Sequence, residues 1–147
     1  MIKKRLNSSS LDLGKKGELF AARYLQKKGY RIIERSYRSA LGEIDIVAKK
    51  DDILVFVEVK TRRDEKFGKP FESVTKEKQA KIVRVAKSYY SNRKHGDLTC
   101  RFDVVSIEVK EDDYYVDYIE NAFMSHSLSA SAFLLQPLDQ QIYLFQL

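Results

Sequence analysis

The sequence predicts an α/β protein with a mixed central sheet flanked by helices. A helix-patterned stretch is followed by three strand-patterned ones, then by a second helix and two more strands. The first three strands follow one another closely enough to form an antiparallel meander. The second helix has crossover length, which makes the strands on either side of it, residues 53–60 and 101–109, parallel neighbours.

Residues 1–8 are basic and polar, and Ser9 or Ser10 can cap a helix that runs to Lys28, with Gly29 as its stop. Its inward stripe is Glu18, Ala21, Ala22 and Leu25, spaced i, i+3, i+4, i+7, so a carboxylate sits where an apolar side chain belongs. Gly14 and Gly17 beside it leave room for close backbone approach. A buried, unpaired Glu18 would be expensive and needs a partner, either a Lys or Arg salt bridge or a cation shared with other acids. Residues 30–37, YRIIERSY, alternate imperfectly and make the first strand.

Residues 43–48 and 53–60 are rich in Ile, Val, Leu and Phe, and the four residues between them, Lys49, Lys50, Asp51 and Asp52, are all charged, which reads as a hairpin. A two-residue Asp51–Asp52 turn pairs Lys50 with Ile53, places Asp45 opposite Glu58, and places Glu43 opposite Lys60. Alternation then puts Asp45, Glu58 and Lys60 on one face, and Ile44, Ile46, Val55, Val57 and Val59 on the other. Thr61, Arg62, Arg63, Lys66, Lys69 and Pro70 follow as a basic loop containing Phe67 and Gly68, with Phe71 just beyond. Thr75 to Tyr90 is the second helix, with Ile82, Val83, Ala86 and Tyr90 inward and Lys78, Lys81, Arg84 and Lys87 on a basic side. Residues 101–109 form a strand in which Asp103 pairs with Arg101 or caps a turn, and residues 114–119 close the sheet as an edge strand.

Two carboxylates facing each other across a ladder repel, and a sheet gains nothing from that arrangement. Charge on one hairpin face is ordinarily a solvated ion-pair strip, here with Lys60 neutralising Glu58. The misplaced Glu18 on a separate element favours a different reading: Asp45, Glu58 and Lys60 as a site for metal-assisted phosphodiester hydrolysis, with Glu18 as a further ligand, direct or through water. Hard oxygen ligands suit Mg²⁺, with Mn²⁺ as a substitute. Arg62, Arg63, Lys69, Lys78 and Lys81 lie where a phosphate backbone would be held.

Composition narrows the function classes. With 147 residues, a formal charge of +6 and 33% charged residues, the chain has the character of a soluble globular protein that favours polyanionic partners. One cysteine, Cys100, excludes an intramolecular disulfide, fits a reducing cytoplasm and reads as a small buried residue. No stretch has the length of a membrane span or of a signal peptide. His95 and His126 are too isolated to form a histidine-based site. The expected organisation is one domain over residues 1–124 and a separate apolar tail, 125–147, which has no Lys or Arg and one acid, Asp139.

With Glu18, Asp45, Glu58 and Lys60 in this order, the chain resembles the PD-(D/E)XK nuclease superfamily. More closely, it resembles the YraN-type family of small bacterial proteins, relatives of archaeal Holliday-junction resolvases. The blocks that carry the resemblance are LGKKGELFAARYLQKKGY, GEIDIVA, LVFVEVKTR, FGKPFESVTKEKQAKI, RFDVVSIE and IENAF. It implies a restriction-endonuclease-like αβββαβ core, with Asp45, Glu58 and the backbone carbonyl of Val59 as Mg²⁺ ligands. It also implies that Lys60 orients or activates the attacking water, that Glu18 completes the acidic cluster, and that the protein acts as a homodimer on branched DNA. DNA is then the expected partner ahead of RNA, with no membrane involved. The alternative is an accessory protein that binds nucleic acid on a nuclease scaffold without cutting it. A third reading, an assembly protein recruited through the apolar tail, rests on residues 125–147.

Overall fold

The structure, a computed structural model, describes residues 10–63, 74–93, 98–111 and 113–124. Among these the order is α1 (Ser10–Lys27), β1 (Arg31–Ser39), β2 (Gly42–Lys50), β3 (Ile53–Arg63), α2 (Lys76–Ser91), β4 (Thr99–Lys110) and β5 (Asp113–Phe123). The five strands form one sheet in sequence order, antiparallel at every junction except β3–β4, which is parallel. The architecture is α/β, a five-stranded mixed sheet with two helices, compatible with a restriction-endonuclease-like core. The expected loop residues Lys66, Phe67, Lys69, Pro70 and Phe71, His95, His126 and the 125–147 tail lie outside the described residues.

The sheet divides the core in two. On one face Ile44, Val47, Leu54, Phe56, Phe102 and Val104 pack with Ile82, Val85, Ala86 and Tyr89 of α2. On the other, Ile46, Ala48, Val55, Val57, Val105 and Ile107 pack with Ala21, Ala22 and Leu25 of α1. The inward side of α2 is therefore broader than its periodicity suggests. Val85 and Tyr89 are fully buried, while Tyr90, expected inside, is only half-buried. The α2 start is set by Thr75, whose hydroxyl accepts from the Lys78 N–H.

Helix α1 ends where the sequence places its stop. Gly29 has φ +89°, its N–H donates to Gln26 O, and the Tyr30 N–H donates to Leu25 O, the two bonds of a Schellman motif. The motif brings Tyr30 back onto Leu25, and both are buried. Nearer the start, α1 approaches β3 closely. A Cβ at Gly17 would lie 1.8 Å from Thr61 Oγ1, whereas Gly14 has nothing within 4 Å and needs no such contact. Gly17→Ala is expected to destabilise the protein by about 1–3 kcal/mol in urea unfolding, and Thr61→Ala in the same background to recover part of that loss. Recovery is expected because the Thr61 hydroxyl is buried with no hydrogen-bond partner among the described residues, so it loses little when removed.

The hairpin turn is the two-residue one, with Lys50 paired to Ile53 and Asp51 at φ +51°. Three expectations about this region are corrected. The β2–β3 ladder ends at Ile46↔Val57, so Asp45 and Glu58 do not form a cross-strand pair, nor do Glu43 and Lys60. Ile44 packs on the α2 face while Ile46 packs on the α1 face, so Asp45 stands where alternation breaks. Finally, β3 continues to Arg63 alongside β4, in register Arg62↔Glu108 and Arg63↔Val109. Parallel pairing with β4 holds these residues extended past the point where β2 leaves, so Arg62 and Arg63 are strand residues.

Candidate active site

The site lies where β2 and β3 part. Beyond Ile46↔Val57 the strands no longer exchange backbone bonds, and the Asp45 side chain takes over: its Oδ2 accepts from the Val59 N–H at 2.8 Å. A carboxylate thus stands in for the missing ladder partner, which fixes Asp45 against the strand that carries Glu58 and Lys60. Glu58 is buried, only 5% exposed, and its Oε1 receives two ammonium groups, Lys60 Nζ at 3.1 Å and Lys78 Nζ at 3.5 Å.

The electrostatics follow from this crowding. Burial, above all, and then the Glu58 charge push the Asp45 carboxyl up to about 8, with Glu18 adding to the rise. The Val59 N–H and the Lys78 ammonium act in the opposite direction. Asp45 therefore feels both Glu58 and Glu18 across the strand gap, although it is not a ladder partner of Glu58. Among the described residues no three His, Cys, Asp or Glu side chains are gathered closely enough to form a ready-made metal cage. The donor set that is present, two interacting carboxylates beside a backbone turned out of its ladder, is of the hard-oxygen type that suits Mg²⁺ or Mn²⁺.

Glu18 differs from its expected state. It is half-buried, not sunk in the core, and its Oε2 accepts from the Ser36 hydroxyl at 2.9 Å. Ser36 has φ +52° and was not visible as a partner in sequence, because a left-handed residue in mid-strand leaves no compositional signal. Glu18 and Asp45 line one cavity of about 280 Å³ together with Gly14, Lys15, Ser36, Arg38, Glu43 and Ile44. A second cavity of about 240 Å³ adjoins it, lined by Arg38, Ser39, Gly42, Glu43, Lys78, Lys81 and Ile82. The two share Arg38 and Glu43, whose side chains lie 3.7 Å apart.

The expected phosphate-binding residues separate into groups. Lys78 was expected on an outward basic side of α2, but it turns in to Glu58. Lys81 is exposed at the second cavity, and Arg63 is exposed near the end of β3. Arg38, on β1 at both cavities, was missed. Its only sequence signal was a basic residue near the tip of the first hairpin.

Asp103 belongs elsewhere. Fully buried, it accepts from Arg101 Nε at 2.8 Å and Nη2 at 2.7 Å, from the Asn121 N–H at 2.8 Å, and from the Tyr118 hydroxyl. This bears out the Arg101 pairing read from the sequence. Burial works against the Arg101 charge, but the bonds to Asp103 outweigh it and raise the guanidinium pKa. Cys100 is buried, as expected, and burial pushes its thiol up to about 12, which leaves it inert as a nucleophile at neutral pH. Among the described residues no helix is long and apolar enough to cross a membrane.

Comparison with known proteins places the chain. A UPF0102 protein of Alkaliphilus oremlandii is 46% identical over 113 residues, covering 76% of this chain and 97% of the relative. UPF0102 proteins of Syntrophus aciditrophicus and Dictyoglomus thermophilum are 41% and 44% identical, over 79% and 76% of this chain and 91% and 97% of those proteins. The profile of the uncharacterised protein family UPF0102 matches residues 17–107, a span that holds Glu18, Asp45, Glu58, Lys60, Lys78 and Lys81. The chain belongs to that family, the YraN-type family its sequence blocks resemble.

Proposed function

We propose that this protein is a metal-dependent DNA endonuclease, hydrolysing phosphodiesters at branched, Holliday-junction-like DNA. The observation that carries the reading is the parting of β2 from β3 at Asp45, which leaves the half-buried Asp45 and the buried Glu58, two mutually repelling carboxylates, beside a pair of lysines. The Asp45 carboxylate, Glu58 and the Val59 carbonyl would hold Mg²⁺. Bound there, Mg²⁺ supplies charge to polarise a phosphoryl oxygen and to make water a stronger nucleophile at neutral pH.

The rest of the mechanism belongs to the chain itself. Val59 N–H holds one Asp45 oxygen, which orients the other toward a cation. Lys60, two residues from Glu58 and a quarter exposed, is placed to steady the attacking water and the charge that develops on the phosphate. Glu18, fixed by the Ser36 hydroxyl, deepens the negative field at Asp45 and lines the same cavity, where it would accept a hydrogen bond from water. Arg38, Lys81 and Arg63 supply positive charge for neighbouring phosphates.

Comparison of Asp45→Asn with wild type on linear, nicked and four-way DNA, in Mg²⁺ or Mn²⁺, tests the reading. Cleavage is expected to fall at least about a hundredfold, while DNA binding is largely kept. Undiminished cleavage by the variant ends the proposal. A second reading, an accessory protein that binds nucleic acid without cutting it, draws support from Glu58, which two lysines already neutralise. That reading predicts salt-sensitive DNA binding indifferent to Mn²⁺ and no cleavage by wild type.

A further inference from the structure

Lys78 is held differently from the other lysines near the site. Its backbone N–H is pinned to the Thr75 hydroxyl, so the start of α2 is fixed and the long side chain is the part free to turn. Its ammonium reaches the same oxygen of Glu58 that Lys60 already occupies, although Glu58 is buried. Two ammonium groups thus meet on one oxygen of a single carboxylate. Lys60 lies on the same strand face as Glu58, two residues away, so its pairing is built into the strand. Lys78 comes from another element, and it also lines the 240 Å³ cavity with Arg38 and Lys81. Glu43 is the one acid among that cavity's lining residues, and it lies against Arg38. Three cationic side chains around one acid make the cavity a site for an anion, and it adjoins the cavity that holds Asp45 and Glu18.

We propose that Lys78 is an internal counter-cation, neutralising Glu58 when no divalent ion is present and turning into the adjoining basic cavity to hold a substrate phosphate when one binds. The inference rests on the metal-dependent reading above and goes beyond it by giving the site a resident competitor for its metal. A divalent ion beside Glu58 repels an ammonium at 3.5 Å from the same oxygen. A substrate phosphate held in the basic cavity offers that ammonium a second anionic partner. Lys78 is in these terms a positioning residue. It delays metal binding in the empty site and couples occupation of the site to the arrival of the nucleic-acid backbone.

Calorimetric titration of Mn²⁺ into the full chain tests this on wild type, Lys78→Met, Lys78→Gln, Lys81→Met and Glu58→Gln. Both Lys78 variants are expected to bind Mn²⁺ about tenfold more tightly, a change of about 1.4 kcal/mol, while their metal-free melting temperature falls. A lysine that merely supports the fold would lower the melting temperature without tightening the metal. Lys81→Met is expected to leave Mn²⁺ affinity unchanged, since Lys81 has no ion pair with Glu58 among those resolved. Anisotropy of a labelled DNA duplex, with Ca²⁺ in place of Mn²⁺, is expected to show weaker binding for Lys78→Met and Lys81→Met, each with a salt slope shallower by about one. Unchanged Mn²⁺ affinity in both Lys78 variants, with binding abolished by Glu58→Gln, overturns the role of Lys78 and leaves the metal site standing. Tighter Mn²⁺ with undiminished DNA binding overturns the transfer to phosphate. No Mn²⁺ binding by wild type removes both the inference and the reading beneath it.

Discussion

Stability of the metal-free protein is expected to fall as pH rises from about 4 to about 8, and Asp45→Asn to remove most of that fall. In the folded state burial and the Glu58 charge hold the Asp45 carboxyl up to about 8, against 3.8 for an ordinary aspartate. Between those values the folded protein keeps a proton that the unfolded chain has released. Linkage then makes each step up in pH favour unfolding, by at most about 1.4 kcal/mol per unit. The contribution is fully present below the unfolded value, declines across the window and is gone above about 8. Asp45 is only half-buried, so solvent at its carboxyl reduces the total, and a swing of about 2–4 kcal/mol is expected in urea midpoints taken between pH 4 and pH 8. Asparagine keeps an oxygen for the Val59 N–H while removing the charge, so the variant should be more stable than wild type at pH 8 and similar to it at pH 4. Mn²⁺ is expected to raise the melting temperature of wild type at pH 8 far more than at pH 5, where it must displace the proton. A flat pH profile for wild type, or one that rises through this window, would falsify the account of Asp45.

Asp103 is expected to behave in the opposite sense. Asp103→Ala should cost about 3–5 kcal/mol at neutral pH, because it strands a guanidinium whose side chain is only 13% exposed. It also leaves the Tyr118 hydroxyl and the Asn121 N–H without their acceptor. Arg101 has other contacts, with the Tyr30 hydroxyl at 2.6 Å and Glu120 at 3.6 Å, which soften the loss without removing it. The double variant Arg101→Met, Asp103→Leu should recover part of the stability, since an apolar pair avoids burying an unpaired charge, although the Tyr118 hydroxyl and Asn121 N–H still lose this acceptor. Urea unfolding of the two variants distinguishes these outcomes, and a single-variant cost below about 1 kcal/mol would count against the network as a structural clasp. The contrast between the two aspartates is informative. Where a buried acid is fully bonded its removal harms the fold, and where it is crowded by another acid its neutralisation helps. The second pattern is the one expected of the site proposed above.

Much of the architecture could be read from the residues alone. The hairpin register next to its turn, the start of α2 near Thr75, the Gly29 stop of α1 and the parallel β3–β4 pair each rest on short-range rules. Turn length fixes pairing, apolar periodicity marks a helix, a left-handed residue favours glycine, and a crossover needs a helix. The nearness of Asp45 to Glu58 and Glu18 was legible too, from acids expected on one hairpin face and in the apolar stripe of the first helix, but the direct Asp45–Glu58 pairing expected there does not form. The Arg101–Asp103 pair was legible as a two-residue spacing along one strand face.

Tertiary structure alone decided how those groups meet. That β2 leaves β3 after Ile46 follows from packing Ile44 beneath α2 while Ile46 stays against α1, a choice made by two helices on opposite faces. Alternation along one strand carries no information about it. The same divergence lets Asp45 replace a backbone partner at Val59, and it sets the charge balance of the site. Ser36 meets Glu18 only because a left-handed residue in β1 turns its hydroxyl toward α1. Lys78, patterned as a solvent-facing lysine, reaches Glu58 because α2 packs on β2, the strand beside β3. In sequence 20 residues separate Lys78 from Glu58, and long-range contacts of that kind are set by how elements pack.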